Sequence, residues 1–227
     1  DVRDVEISYD GSKLLFSMRT PEIDGLPDNQ QPTWNIWEYD LETDQLTRVI
    51  NSNISAEQGQ DIAPAYLPDG RIVFSSTRQH ESGRLLLDEG KSQFATLDES
   101  LRESAAVLHV MEADGNNIRQ ISFNMSHDYD PTVLMDGRIL FSRWDNAGAR
   151  NAVRLYTVRP DGAELQIYYG AHSEQGRNDG SLSDPLQVRQ MEDGRLVSTQ
   201  VLRNQNNRGG DMLIIDPRYI DHDQPIE

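Results

Sequence analysis

The chain has 227 residues, with 21 Lys and Arg against 38 Asp and Glu, for a formal net charge of −17 at pH 7. That balance excludes nucleic acid as a partner, because nothing neutralises a row of phosphates. The lack of cysteine excludes disulfides, Cys-ligated zinc, Fe–S clusters, a thiol nucleophile and covalent haem attachment within these residues. Apolar residues make up 36%, enough for a core, and no apolar run approaches the roughly 18–20 residues of a membrane-spanning helix. The chain opens on Asp1, not Met, and is expected to be a processed chain or a piece of a longer one.

Four segments share one pattern: an apolar extended run, an Asp-Gly pair, and a second apolar run. They lie at 5–19, 64–78, 131–143 and 186–200, around Asp10-Gly11, Asp69-Gly70, Asp136-Gly137 and Asp193-Gly194. Gly supplies the positive φ that a tight hairpin needs, and β-branched and aromatic residues on either side favour paired strands. Each Asp-Gly aspartate is therefore a turn residue, not a catalytic one. A second hairpin follows in three segments, pairing 35–40 with 45–50, 107–112 with 118–122 and 153–159 with 164–169. The fourth has a strand at 212–215 and no clear partner. The expected fold is all-β: a β-propeller of four-stranded antiparallel blades at about 1–50, 61–122, 128–170 and 184–217, part of a ring of about six to eight blades. The one expected helix is at 97–106, inside an insertion at 79–105. Phe16, Phe74 and Phe141 recur at one strand position and are expected in the core.

Naming the strands of a blade A to D, the A–B turns are tight. The B–C loops are expected to be long, at 20–33, 79–105, 144–152 and 202–209, as are the D–A loops at 51–61 and 171–184. Long loops on one face of a rigid scaffold point to a binding face for a protein partner or small ligand. Candidate ligand-binding residues on that face are Arg19, Arg78 and Arg143 near the ends of strand B, Trp144 beside Arg143, and Asp61, Asp128, Asp130 and Asp184 near the starts of strand A. The competing expectation is that these Arg and Asp side chains form structural ion pairs. His127 and His172, with the neighbouring aspartates, are of the right types for zinc, and the Asp-rich loops for calcium. No helical His pair or EF-hand spacing supports either metal, so no cofactor is expected from the residues alone. No nucleophile elbow is present. The insertion is expected to act as a flap or a partner-docking arm.

The pattern D-x-x-P-x-x-x-x-DGR-apolar-apolar-F-S-x-x-R, carried by Asp61, Pro64, Asp69-Gly70-Arg71 and Phe74-Ser75, resembles the TolB-like propeller repeat of bacterial envelope proteins. Residues 108–115, 118–124, 127–131, 141–145, 169–173 and 209–212 resemble the propeller region of hydrazine synthase alpha-subunit-like proteins. The resemblance implies a propeller and a secreted or periplasmic, extracellular setting in a larger bacterial protein. It leaves two functional readings: a non-catalytic ligand- or protein-binding module, or a domain of a metal- or haem-dependent redox enzyme. Covalent haem of the hydrazine synthase kind needs a Cys pair followed by His, which these residues lack.

Overall fold

The computed structural model describes the whole chain except residues 28–29, 98–103, 148–149, 172–182, 203–209, 222–223 and 226–227. It is all-β and of the β-propeller class. The first blade is the sheet β1 (Val2–Ile7), β2 (Lys13–Met18), β3 (Asn35–Asp40) and β4 (Gln45–Arg48), in that order. A short helix α1 (Asn53–Ala56) leads to the second sheet, β5 (Asp61–Tyr66), β6 (Ile72–Ser76), β7 (Val107–Met111) and β8 (Arg119–Gln120), with α2 (His80–Asp88) between β6 and β7. The third is β9 (Asp128–Val133), β10 (Ile139–Ala147), β11 (Arg150–Val158) and β12 (Gln166–Tyr169). The fourth has three strands, β13 (Ser183–Gln190), β14 (Leu196–Leu202) and β15 (Asp211–Ile215). A separate two-stranded ribbon, β16 (Tyr219–Asp221) and β17 (Gln224–Pro225), follows.

The chain divides into two compact units, Asp1–Pro131 and Thr132–Glu227. The core of the first gathers Leu15, Ile36, Val49, Ile50, Ile72, Phe74 and Met111. That of the second gathers Leu134, Leu140, Leu155, Tyr169, Val188, Leu196 and Ile215. Phe16, Phe74 and Phe141 are all buried, as their periodicity requires.

The Asp-Gly turns differ from simple two-residue hairpins. At the second sheet, Leu67 N–H donates to the Arg71 carbonyl at 2.8 Å and Gly70 N–H to the Leu67 carbonyl at 2.9 Å. Only the glycine is left-handed, at φ +88°, with Gly11, Gly137 and Gly194 at +74°, +83° and +87°. This is a type I turn closed by a left-handed glycine. The aspartate accepts the N–H two residues on, as Asp69 does from Arg71 at 3.1 Å and Asp136 from Arg138 at 3.0 Å. In the three Asp-Gly-Arg turns the arginine then grips the same carboxylate, at 2.6–2.7 Å.

Strand A carries a second repeated irregularity. Asp4, Ala63, Asp130 and Gln187 have φ of +56°, +49°, +52° and +52°. Each lies six residues before its Asp-Gly aspartate. In β1, β5 and β13 the pairing register shifts across this residue, as at a β-bulge. The bulge turns Ala63 N–H away from its own sheet, to Asp4 Oδ2 and Ser17 Oγ of the first, both at 3.1 Å.

Two sequence expectations are corrected. Residues 144–152 are not simply a loop: β10 and β11 continue as a long hairpin, with Trp144 opposite Val153 and Asp145 opposite Ala152. The insertion carries a helix at His80–Asp88, where the sequence predicts a loop; of the stretch expected to be helical, 97–106, residues 98–103 lie outside the described residues. Arg84 bridges Glu81 one turn back and Asp88 one turn on, which suits a helix. Gly90, at φ +67°, ends it: Lys91 N–H reaches the Leu86 carbonyl at 2.8 Å and Gly90 N–H that of Leu87 at 2.9 Å. Leu97 instead forms an isolated antiparallel bridge with Ser104.

Two glycines separate backbone strain from steric exclusion. A Cβ on Gly70 meets nothing within 4 Å, whereas one on Gly115, at φ +79°, would lie 2.1 Å from the Val49 carbonyl oxygen. Gly70→Ala is expected to cost about 1–2 kcal/mol, the penalty of a left-handed alanine. Gly115→Ala is expected to cost clearly more, read as midpoints of urea unfolding; equal losses would refute the packing role of Gly115.

Candidate functional site

The end of the second sheet from which the insertion leaves is built on a buried ion pair. Asp61 opens β5 and is fully buried, and Arg78, just past β6, is 3% exposed. Arg78 Nε donates to Asp61 Oδ1 at 2.9 Å and Nη2 to Oδ2 at 2.5 Å. Ser76 Oγ donates to Asp61 Oδ1 at 2.6 Å, and Arg78 Nη1 donates to the carbonyl of Ser55 in α1. Burial pushes the Asp61 carboxyl up from its ordinary value, against the pull of Arg78 and Ser76. Gly59 lets the pair form, since a Cβ there would fall 2.6 Å from Arg78 Cγ and 2.8 Å from Ser76 Oγ.

Two glutamines staple the insertion to this base. Gln79 Nε2 donates to the carbonyls of Thr96 at 3.0 Å and Ala105 at 2.8 Å, while its Oε1 accepts Thr96 N–H at 2.8 Å. Gln120, on β8, donates from Nε2 to Ser82 Oγ at 2.7 Å and accepts Ser82 N–H at 3.3 Å. The stapled arm leaves a cleft of about 570 Å³ over Arg78. One face of α2, His80, Gly83, Arg84 and Leu87, forms a wall; Gln58, Gln93 and Phe94 form others. A smaller cavity of about 320 Å³ shares Gln58, Arg78 and His80 and reaches His109.

His109 is buried on β7, its ring stacked on Phe74 at 5.6 Å between centroids. Nδ1 lies 3.0 Å from the Val107 carbonyl and so carries the proton in the neutral ring. Burial pushes the imidazole down to about 4; the bond to Val107 opposes this and the Arg78 charge adds to it.

The remaining sequence candidates sit elsewhere. Arg19 Nε is 3.2 Å from Asp1 Oδ2, the guanidinium also grips Glu22, and it lies 4.7 Å over the Trp34 ring, which Arg3 approaches at 4.2 Å. Counted from Phe16, Phe74 and Phe141, the arginines Arg19, Arg78 and Arg143 stand three, four and two residues on. They are therefore not one repeated position, because side chains alternate faces along a strand. Arg143 is buried within β10, its guanidinium 5.6 Å from the Phe141 ring and 5.1 Å from that of Tyr156. Trp144 is half-buried on the same strand. Asp128 is buried and accepts from Asn124 Nδ2 at 3.1 Å. Asp130 is the left-handed residue of β9. Asp184 Oδ1 accepts Val153 N–H at 3.2 Å. His127 Nδ1 accepts Ala106 N–H at 3.0 Å. His172 lies outside the described residues, and among the described residues no group of three or more His, Asp or Glu could hold a metal ion. Of the candidates, Asp61 and Arg78 are the two seen paired in the cleft floor. Gln58, His80, Gln93 and Phe94 carried no motif; only the length of the loops that hold them, 51–61 for Gln58 and the insertion for the others, signalled them.

Repeated antiparallel meanders with stapled, bulged strands define a β-propeller. No family model and no curated protein matches the chain. Solved structures do. Hydrazine synthase of Kuenenia stuttgartiensis aligns with TM-score 0.67 at 19% identity, over 96% of this chain and 31% of that one. A chain of a nidogen/laminin complex aligns with TM-score 0.58 at 10% identity, over 95% and 60%. TolB from Acinetobacter baumannii aligns with TM-score 0.48 at 14% identity, over 92% and 44%. At these identities the likeness is one of fold, and the chain spans under a third of the hydrazine synthase chain.

Two measurements test this base. Arg78→Met leaves the Asp61 carboxylate buried and unpaired, and is expected to cost about 3–5 kcal/mol in urea unfolding. Arg78→Lys is expected to recover only part of that, because one ammonium does not reproduce the two-oxygen grip. A near-neutral Arg78→Met would refute the role. For His109, the unfolded chain takes up a proton near pH 6.5, which the folded chain resists until about 4. Stability is therefore expected to fall as pH drops through that window, with roughly 3 kcal/mol assignable to this ring. His109→Gln is expected to flatten that part of the stability curve; an unchanged slope would overturn the assignment.

Proposed function

We propose that this chain is a non-catalytic binding module of a larger secreted or periplasmic bacterial protein, taking a small ligand or protein partner at the insertion of its second sheet. The observation that carries the reading is the cleft over Arg78, roofed by an arm whose fold depends on the Gln79 and Gln120 staples. Its floor cation is neutralised by Asp61, and its walls offer amides, an imidazole and apolar surface, the anatomy of a recognition pocket. The resemblance to bacterial envelope propellers supports the setting.

Replacing residues 80–104 by a short Gly-Ser linker tests the reading. The four sheets are expected to remain, by circular dichroism, while binders found in a ligand-detected NMR screen of sugars, peptides and metabolites are lost. Binding that survives the replacement, or turnover of a bound compound, would refute it. Fractionation of the intact gene product is expected to recover it outside the inner membrane; recovery with cytosolic proteins would refute the setting.

A further inference from the structure

We infer that the cleft beside α2 recognises a neutral carbohydrate of one or two rings, through Phe94 and Leu87 as an apolar platform and Gln58, Gln93 and His80 as hydrogen-bonding groups. This rests on the binding-module reading and deepens it.

Charge bookkeeping excludes the obvious alternative first. Among the described residues, two arginines line the cleft. Arg78 is bound by Asp61 on both carboxylate oxygens. Arg84 donates to Glu81 at 2.5 and 3.1 Å and to Asp88 at 2.6 Å, so its charge is balanced within α2. A fixed anion site needs an uncommitted cation, and on a chain of net charge −17 the long-range field repels anions as well. A neutral ligand meets neither obstacle.

The polar groups that remain suit hydroxyls. Gln79, which also lines the cleft, is consumed by its backbone staples. By contrast, the side chains of Gln58, Gln93 and His80 make no hydrogen bond within the described structure, yet all three face the cleft. Each glutamine amide offers a donor and an acceptor side by side, and the imidazole adds one of each. Adjacent sugar hydroxyls are donor and acceptor pairs of the same spacing.

The apolar groups supply the second half of sugar recognition. Phe94 is 60% exposed and Leu87 59%, both beside these amides. A pyranose has one face of C–H bonds, which packs on an aromatic ring while its equatorial hydroxyls reach outward. The volume of about 570 Å³ admits one or two rings, within the range of about 300–1,000 Å³ for small-molecule sites.

The test is titration of the full chain with glucose, maltose, cellobiose and chitobiose beside glucuronic acid and a uronic-acid disaccharide, followed by NMR and calorimetry. A neutral sugar is expected to saturate, with Phe94→Ala weakening it about tenfold, the worth of one aromatic contact. Gln58→Ala and Gln93→Ala are each expected to weaken it severalfold. All three positions are exposed, so thermal unfolding should be unmoved and a loss of binding is readable. Tighter binding of the uronic acids, or saturation by a peptide from the screen that Phe94→Ala abolishes, would overturn the carbohydrate assignment and leave the module reading standing. Failure of every compound to bind, with the 80–104 replacement also silent, would overturn both. Neutral-sugar binding indifferent to Phe94→Ala would overturn the placement in this cleft.

Discussion

The left-handed residue six positions before each Asp-Gly pair is the constraint on which the blades depend. A regular strand A would keep all its N–H groups in its own ladder or lose them to solvent. The bulge breaks the ladder at one residue and frees one N–H to point sideways. At Ala63 that group is buried and is taken by Asp4 and Ser17 of the first sheet. A buried N–H without such a partner is costly, so the bulge and its acceptors imply each other. The same position in β1 supplies one of those acceptors, since Asp4 is itself the left-handed residue of its strand. In the second unit the link differs in detail: Ser142 Oγ donates to the Pro185 carbonyl at 2.8 Å, two residues before the bulge at Gln187.

Much of this architecture was legible because it follows from local rules. The period of two in the apolar runs and the glycine at each turn place the strands, and β3 falls at 35–40 as the sequence predicts. The three-stranded fourth sheet also follows, because no apolar run lies close after residue 215. The bulge was not legible. Asp4, Ala63, Asp130 and Gln187 are of three residue types, and what they have in common is a left-handed backbone angle. The hairpin at 139–158 was hidden because Trp144, Asp145 and Asn146 read as polar loop, although pairing with the next strand extends them. The helix at 80–88 was missed for a related reason. Gly83 interrupts the pattern at 80–88, and the ion pairs of Arg84 and the terminating Gly90 outweigh it.

The site was legible in part. The sequence singled out both Asp61 and Arg78 and offered an ion pair as the alternative to ligand binding, and the geometry places them 2.5 Å apart, both buried. What the sequence could not give is register. Three arginines near three strand ends look equivalent in one dimension, but a shift of one residue turns a side chain to the other face of its sheet. Arg78 therefore anchors the floor of a cleft, Arg143 lies against two aromatic rings, and Arg19 meets Trp34 and two carboxylates.

The acidity of the chain fits the same geometry. In a meander of four strands the first and third turns lie at one end of the sheet and the second at the other. In the first unit the turn aspartates Asp10, Asp40, Asp69 and Asp114 all occupy first or third turns, each accepting a backbone N–H at 2.8–3.1 Å. Those bonds hold their carboxyls below the usual range, Asp10 at about 2 through Ser12 N–H and the Ser8 and Ser12 hydroxyls, and Asp69 chiefly through the Arg71 guanidinium. They are structural charges, ionised at neutral pH. The insertion leaves from the second turn of its sheet, the opposite end. There the floor carboxylate is paired with Arg78 and α2 balances its own arginine. The sheet thus separates an end whose turns are set by aspartates from an end where the buried carboxylate is paired with Arg78 and amides and apolar surface line a cleft. On the proposed reading, strand topology alone keeps the aspartate turns and the ligand cleft at opposite ends of one sheet.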